Sequence, residues 1–254
     1  MNKDNLGDRI KMYEKLNSQI LMPKVPVILR LDGKSFHNLT KNYDKPWDMG
    51  FVEAIQKTTL YLCERIQGCQ FGYCQSDEIS LLLQDNNKYN TTLFFNGKVQ
   101  KICSVAASMA SVVFNKYLNR DTGAVFDCRA FNIPEHEVVN SFLWRQQDCS
   151  RNSIQMLSRA NFTHKECHKK NTSQLQDMLM TKQINWNDTT THLKRGTAIK
   201  RSDPIESIVG GNTVEVRNWE IDEEMPILSQ DRDYIPIQGL WSGEKPIKER
   251  SSEN

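Results

Sequence analysis

The sequence predicts an α+β fold built on an antiparallel, ferredoxin-like βαββαβ sheet. Three observations predict it. Short runs of alternating apolar residues, such as 27–31 with Val27, Leu29 and Leu31, lie between turn residues. Two longer segments, 48–66 and 102–118, carry apolar residues at helical spacing. Up to Pro134 these pieces follow one another in the order β-α-β-β-α-β, a split βαβ unit.

Taken in order, Asp4 is placed to cap a first helix with Leu6, Ile10, Tyr13, Leu16 and Ile20 on one side, ended by Pro23 and Pro26. The first strand runs from Val27 to Leu31 and stops at Asp32-Gly33. The helix over 48–66 buries Phe51, Ile55, Thr59, Leu62 and Ile66 and ends before Gly68. Strands over 69–73 and 79–83 flank the polar turn Gln75-Ser76-Asp77-Glu78. Asn96-Gly97 within 94–99 is a hairpin signal. The 102–118 helix is rich in Ala and Ser and so suited to close packing on a sheet, and 124–131 is the next strand.

The character changes at Pro134. Polar helices are expected over 135–157 and over 166–182, the second capped at Ser173, followed by short polar segments with Trp186, Trp219 and Trp241 and a frayed 251–254. The chain is thus divided into residues 1–134, carrying the sheet, and 135–254, mainly helical.

Composition narrows the function classes. The chain has 254 residues with 38% hydrophobic and 25% charged, enough for a packed core, and a formal charge of +2 that neither marks nor excludes a nucleic-acid binder. No apolar run approaches the ~18–20 residues of a membrane span, and Met1–Ile10 does not read as a signal peptide. Seven scattered cysteines without a C-x-x-C fit a reducing cytoplasm better than a disulfide framework or zinc ribbon. The His164, Cys167, His168 cluster lacks a fourth ligand for zinc and reads as a basic loop with Lys165 and Lys169.

The residues with the most chemistry stand at strand ends. In a split sheet the first strand lies beside the third, so Asp32 and Asp77 can meet at one edge. Two bare carboxylates repel, and a hard divalent cation relieves the repulsion. Gly33 lets backbone approach a ligand and offers its carbonyl to a metal. The amides from Lys34 through Ser35 and Phe36 to His37 form a candidate anion-binding turn. Either block alone is more readily a plain turn, whereas the two together on this topology favour a metal site. Lys98 and Lys101 at a helix start suit a phosphate or a solvated loop. Arg129, Arg145 and Arg151 suit an RNA 5′ end or surface salt bridges, and Lys194-Arg195 suits nucleic-acid backbone.

Seven blocks in order resemble the tRNA-His guanylyltransferases and their Thg1-like relatives, the 3′-to-5′ polymerases. They are Arg30-Leu31-Asp32-Gly33-x-x-Phe36-His37, Lys45-Pro46, Gln75-Ser76-Asp77-Glu78, Val105-Ala106-Ala107-Ser108, Phe126-Asp127-x-Arg129, Trp144-Arg145-Gln146-x-Asp148-Cys149 and Lys194-Arg195-Gly196-Thr197. The resemblance implies a polymerase-like palm in which Asp32, the Gly33 carbonyl and Asp77 hold two Mg²⁺, with Glu78 beside them as a third catalytic carboxylate. It implies that the segment from Asp32 to His37, with Lys45, Ser76, Lys98 and Lys101, binds ATP, GTP or another nucleoside triphosphate. It further implies 5′-adenylylation of a tRNA followed by attack of an incoming 3′-hydroxyl, in a homotetramer. Members specific for tRNA-His continue the sixth block with His-Ile-Asn-Asn-Leu-Tyr-Asn. Here Ser150-Arg151-Asn152-Ser153 follows, keeping only Asn152 as a tRNA contact. That favours template-dependent repair or editing of 5′-truncated tRNAs over addition of the extra G to tRNA-His. The alternatives are that G addition, a palm-fold nucleotide cyclase, or a non-catalytic RNA-binding module.

Overall fold

The computed structural model describes residues 5–85, 90–120, 122–209 and 212–237. Asp4, Trp241 and the 251–254 tail lie outside the described residues.

Helix α1 spans Leu6–Leu16 and is capped by the Asn5 side chain, which accepts from the Gly7 amide. Strand β1 (Val27–Gly33) leads through the short helix α2 (Phe36–Leu39) to α3 (Met49–Arg65). Asp48 caps α3 by accepting from the Phe51 amide at 2.9 Å. Strands β2 (Cys69–Gln75) and β3 (Glu78–Leu83) follow as a tight hairpin. Helix α4 (Val99–Leu118) returns the chain to β4 (Phe126–Asn132). Then come α5 (Val138–Asn161), α6 (His164–Cys167), α7 (Thr172–Thr181), α8 (Thr191–Arg195), and strands β5 (Thr197–Arg201), β6 (Ile205–Val209), β7 (Asn212–Val216) and β8 (Trp219–Asp222).

The main sheet has the order β4-β1-β3-β2-β5-β8, with every neighbouring pair antiparallel. Its first four strands are the expected split βαββαβ, with β1 beside β3. Strands β5 and β8 extend the sheet on the β2 side, so both sides of Pro134 contribute strands to it. The polar segments after 185 were not expected to do so. Lys200 explains how they manage without an apolar alternation: it pairs across the strands with Glu220 at 3.8 Å and Asp222 at 2.8 Å.

Alternation along β1 splits the core in two. Val27, Leu29 and Leu31 pack under α3 and α4 with Ile79, Leu81 and Leu83. Ala106 and Ala110, both without exposed surface, let α4 lie close to that layer. On the other face Ile28, Phe71, Tyr73 and Leu82 meet Val138, Val139 and Phe142 of α5, together with Met225, Leu228 and Ile235.

Four local expectations change. None of the residues of α1 is buried; Leu6, Ile10, Tyr13 and Leu16 are exposed, because no other described element covers that stripe. Asn96-Gly97 makes a 3₁₀ turn entering α4, not a hairpin; Phe95 and Asn96 supply the positive φ values a hairpin turn would use. The 166–182 helix is two helices, because Asn171 forms a capping box with Gln174 and starts α7 there instead of at Ser173. Residues 135–137 are a 3₁₀ turn that precedes α5.

Candidate active site

Asp32 and Asp77 come together as the sheet order requires. Asp32 ends β1, Asp77 sits in the β2–β3 turn, and the Gly33 amide donates to the Asp77 carbonyl at 3.1 Å. Ser76, in the left-handed region at φ 50°, turns the chain so that its hydroxyl donates to Asp77 Oδ1 at 3.1 Å.

Gly33 is required here for space. A Cβ on it would meet the ring of Phe36. That ring is held among Phe51, Phe114 and Phe126 at centroid distances of 5.0–6.0 Å. Phe36 thus anchors the 34–37 loop in the core and is not available to stack on a base. Gly33→Ala is expected to cost about 1–3 kcal/mol of stability by overpacking and to displace the loop. Urea denaturation checks the first effect, and nucleotide affinity the second.

Register lays charge out in rows on the α5 side of the sheet. Asp32 lies opposite Glu78 on β3 and Asp127 on β4. One row back, Arg30 lies opposite Ser80 and Arg129. Burial first, and then the charge of Asp127, raise the Asp32 pKa above the ordinary carboxylate value, against the pull of Arg129, Arg30 and Arg145. Burial, then Asp32, likewise raise Asp77, against its own amide, Ser76 and His37. Two desolvated, mutually repelling carboxylates beside an approachable backbone carbonyl are oxygen donors matched to a hard divalent cation, which takes one or two carboxylates and water. Among the described residues no three His, Cys, Asp or Glu side chains converge as a metal cluster.

Behind the pair lies a cavity of about 690 Å³, in the range of small-molecule sites. Asp32, Gly33, Ser35, Phe36, His37, Lys45, Ser76, Asp77 and Asn152 line it, with Trp47, Gln56, Met156, Arg159, His192 and Thr197. Gln56 fixes its far wall, its amide donating to Thr197 Oγ1 at 2.9 Å and Glu223 Oε1 at 2.8 Å. Lys45 stands at the wall with its amine donating to the Thr40 carbonyl at 2.8 Å. The Lys34 amide donates to the Val125 carbonyl at 2.8 Å, and its exposed side chain is not part of the wall.

Several residues expected to touch ligands do other work. Glu78 is buried, and its Oε1 accepts from Arg145 Nε at 2.6 Å. Arg145 Nη2 donates to Asp148 Oδ2 at 2.7 Å. Both charges are consumed in this pair, so Arg145 is not presented to RNA and Glu78 is not a free third carboxylate. Burial still raises the Glu78 pKa, with Arg145 opposing it. Lys194 is buried too, its amine donating to the Asn187 carbonyl at 2.6 Å, and neighbouring Arg195 is half-buried. Lys98 and Lys101 sit at the start of α4, where the Gly97 carbonyl meets the Leu21 amide; they are outside the cavity, and Lys101 lies over the Phe95 ring at 4.7 Å. Arg151 is exposed and pairs with Asp148, which also accepts from Asn152. Arg129 is exposed on β4. Lys165 and Lys169 are exposed near a smaller cavity of about 170 Å³, which Lys169 lines with Arg159, His164, His168 and Lys170.

Residues 7–134 match the family model described as tRNAHis guanylyltransferase, Thg1. The chain belongs to the tRNAHis guanylyltransferase family. A bacterial Thg1-like protein solved with ATP is 42% identical with a TM-score of 0.83, covering 91% of this chain and 97% of that one. One solved with GTP is 40% identical with a TM-score of 0.79 over the same shares. The Schizosaccharomyces pombe tRNA(His) guanylyltransferase is 29% identical over 154 residues, 57% of this chain and 56% of that protein. This chain therefore spans little more than half the length of that curated relative. The six-stranded sheet is the palm-like sheet of the Thg1 fold. Within it, sequence reasoning missed Asp127 and Arg30 as neighbours of Asp32, and Arg159 and His192 as cavity wall. Only the strand register points to the first two; Arg159 lies two turns beyond Asn152 on the same side of α5.

Proposed function

We propose that this protein is a 3′-to-5′ nucleotidyltransferase that adds nucleotides to the 5′ end of tRNA, in template-dependent repair or editing of 5′-truncated molecules. The observation that carries it is the Asp32–Asp77 pair at the mouth of a cavity of about 690 Å³, in a chain 42% and 40% identical to proteins solved with ATP and GTP. In the first step the 5′-phosphate attacks the α-phosphorus of ATP, releasing pyrophosphate and leaving a 5′–5′ linkage. In the second, the 3′-hydroxyl of an incoming NTP attacks the RNA phosphorus and AMP leaves.

Asp32, Asp77 and the Gly33 carbonyl are the groups to hold two Mg²⁺, which would supply neutralisation of phosphate charge and polarisation of the attacking oxygen. The 34–37 loop positions the triphosphate, with Ser76 and His37 beside it. Rate then comes from positioning and charge neutralisation. Repair is favoured over G addition by Ser150. Its hydroxyl donates to the Lys194 carbonyl at 2.9 Å, tying α5 to α8, so it is spent on the protein's own fold. No described helix is long and apolar enough to cross a membrane, and a cytoplasmic site fits seven unpaired cysteines. The bare stripe on α1 fits burial in a homotetramer, as in the family resemblance.

The test is extension of a 5′-truncated tRNA in Mg²⁺ with each NTP in turn. Incorporation is expected to follow the opposing template base by Watson–Crick pairing. Addition of G to full-length tRNA-His, with none to truncated tRNAs, would overturn the repair reading. Product formed from NTPs without RNA would replace it with a cyclase.

A further inference from the structure

The cavity accounts for one side of Asp32. The other side opens onto the part of the sheet that α5 leaves bare. There Asp127 and Arg129 are exposed and Phe131 is 38% exposed. Arg30 and Arg129 face each other directly across the β1–β4 pair, and among the described residues neither forms an ion pair. Like charges set directly opposite in a sheet are destabilising, and here only the attraction of Asp32 for both, and of Glu78 for Arg30, offsets them without a direct ion pair. Beside them Trp144 is 55% exposed, a large indole on a helix whose neighbouring Phe142 is buried. The Arg30 and Arg145 guanidiniums lie over its ring at 5.6 and 4.4 Å. With more than half its surface open, the indole still offers area to another ring.

We propose that Arg30, Arg129 and Trp144 form a subsite for the 5′-terminal nucleotides of the RNA. The guanidinium pair holds the phosphodiester next to the reacting phosphate, and the indole stacks on a base. The assignment rests on the nucleotidyl-transfer reading and specifies where the RNA enters: over the open sheet edge, with the triphosphate in the cavity, and Asp32 between them. Spacing supports it. Two residues along a strand advance about 6.8 Å, comparable to one step along an extended nucleic-acid backbone, so the carboxylate row and the arginine row address successive phosphates. Arginine forks suit phosphate, and base–aromatic stacking needs no particular sequence, as an enzyme guided by its template requires.

Binding of a 5′-monophosphorylated truncated tRNA, and separately of ATP without RNA, tests this in the wild type and in Trp144→Ala, Trp144→Phe and Arg129→Gln. Trp144→Ala is expected to weaken RNA binding about tenfold or more, with Trp144→Phe recovering most of the loss. Arg129→Gln is expected to weaken RNA binding and to make the salt dependence shallower by about one unit of slope. ATP affinity should hold in all three. Unchanged RNA binding in Trp144→Ala and Arg129→Gln would overturn the subsite. So would equal losses for RNA and ATP, which would mark a structural role. Failure of the wild type itself to bind any triphosphate would overturn the nucleotidyl-transfer reading together with the subsite.

Discussion

Asp32→Asn is expected to abolish nucleotide addition while raising the melting temperature of the free protein. The two effects have one cause. Burial and the charge of Asp127 hold the Asp32 pKa above its ordinary value, so its ionised form is a cost that the fold carries. The sign follows from proton counting. A carboxyl whose folded pKa is raised binds more protons in the folded state, and stability falls as pH rises through the interval between the unfolded and folded values. Asp77 behaves alike. The difference in melting temperature between Asp32→Asn and wild type should therefore be smallest near the ordinary value of 3.8 and grow as pH rises above it. Mg²⁺ should raise the melting temperature of the wild type by mass action and leave the variant nearly unchanged. Loss of one such electrostatic group should lower kcat by about 10²–10³-fold or more. A variant with full activity, or one that melts lower at neutral pH, would contradict this account of the site.

Arg145→Ala is expected to be among the most destabilising single changes in the chain. It leaves Glu78 buried next to Ser80, whose hydroxyl at 3.4 Å is a poor substitute for a guanidinium. Removing one partner of a buried pair typically costs about 3–5 kcal/mol, a fall of roughly 6–20 °C in melting temperature for a chain of this size. The double variant Glu78→Gln with Arg145→Met removes both charges and should recover most of that loss. If Arg145→Ala instead melts like the wild type and only RNA affinity falls, then Arg145 contacts the substrate and the buried pair is secondary. Neighbouring Gln146 sharpens the contrast: its side chain donates to the Pro226 carbonyl at 2.8 Å and accepts from the Leu228 amide at 2.9 Å. The Trp-Arg-Gln-x-Asp-Cys block therefore mostly fastens α5 to the sheet and to the C-terminal segment, with Trp144 left facing out.

The parts of the fold legible in the sequence are those where local chemistry and tertiary packing agree. Asp48 caps its helix, β1 alternates cleanly, and the Gln75–Glu78 turn joins two apolar strands, so the split βαββαβ order and the meeting of Asp32 with Asp77 follow. Where long-range partners decide, the sequence is silent. Arg145 and Lys194 look like solvent cations, because nothing local says that Glu78, 67 residues away, or the Asn187 carbonyl will claim them. The stripe on α1 has the spacing of a buried face, yet no other described element covers it. Strands of four and five residues such as β8 and β5, paired through charges, carry no periodic signal. Asp127 belongs to the same blind spot: its neighbourhood with Asp32 exists only through register.

The late strands bear on how the protein comes into being. The cavity wall includes His192, Leu193 and Thr197, and Tyr73 in β2 donates its hydroxyl to the Arg195 carbonyl at 2.8 Å, across 122 residues of sequence. A ribosome that has translated through Pro134 has already delivered both aspartates, but neither the far wall of the cavity nor β5, which pairs with β2 on the side away from β3. Such widely separated pairings are slow to form. During synthesis, then, the two carboxylates exist before the enclosure that gives them a substrate. The pocket closes only when the last third of the chain arrives.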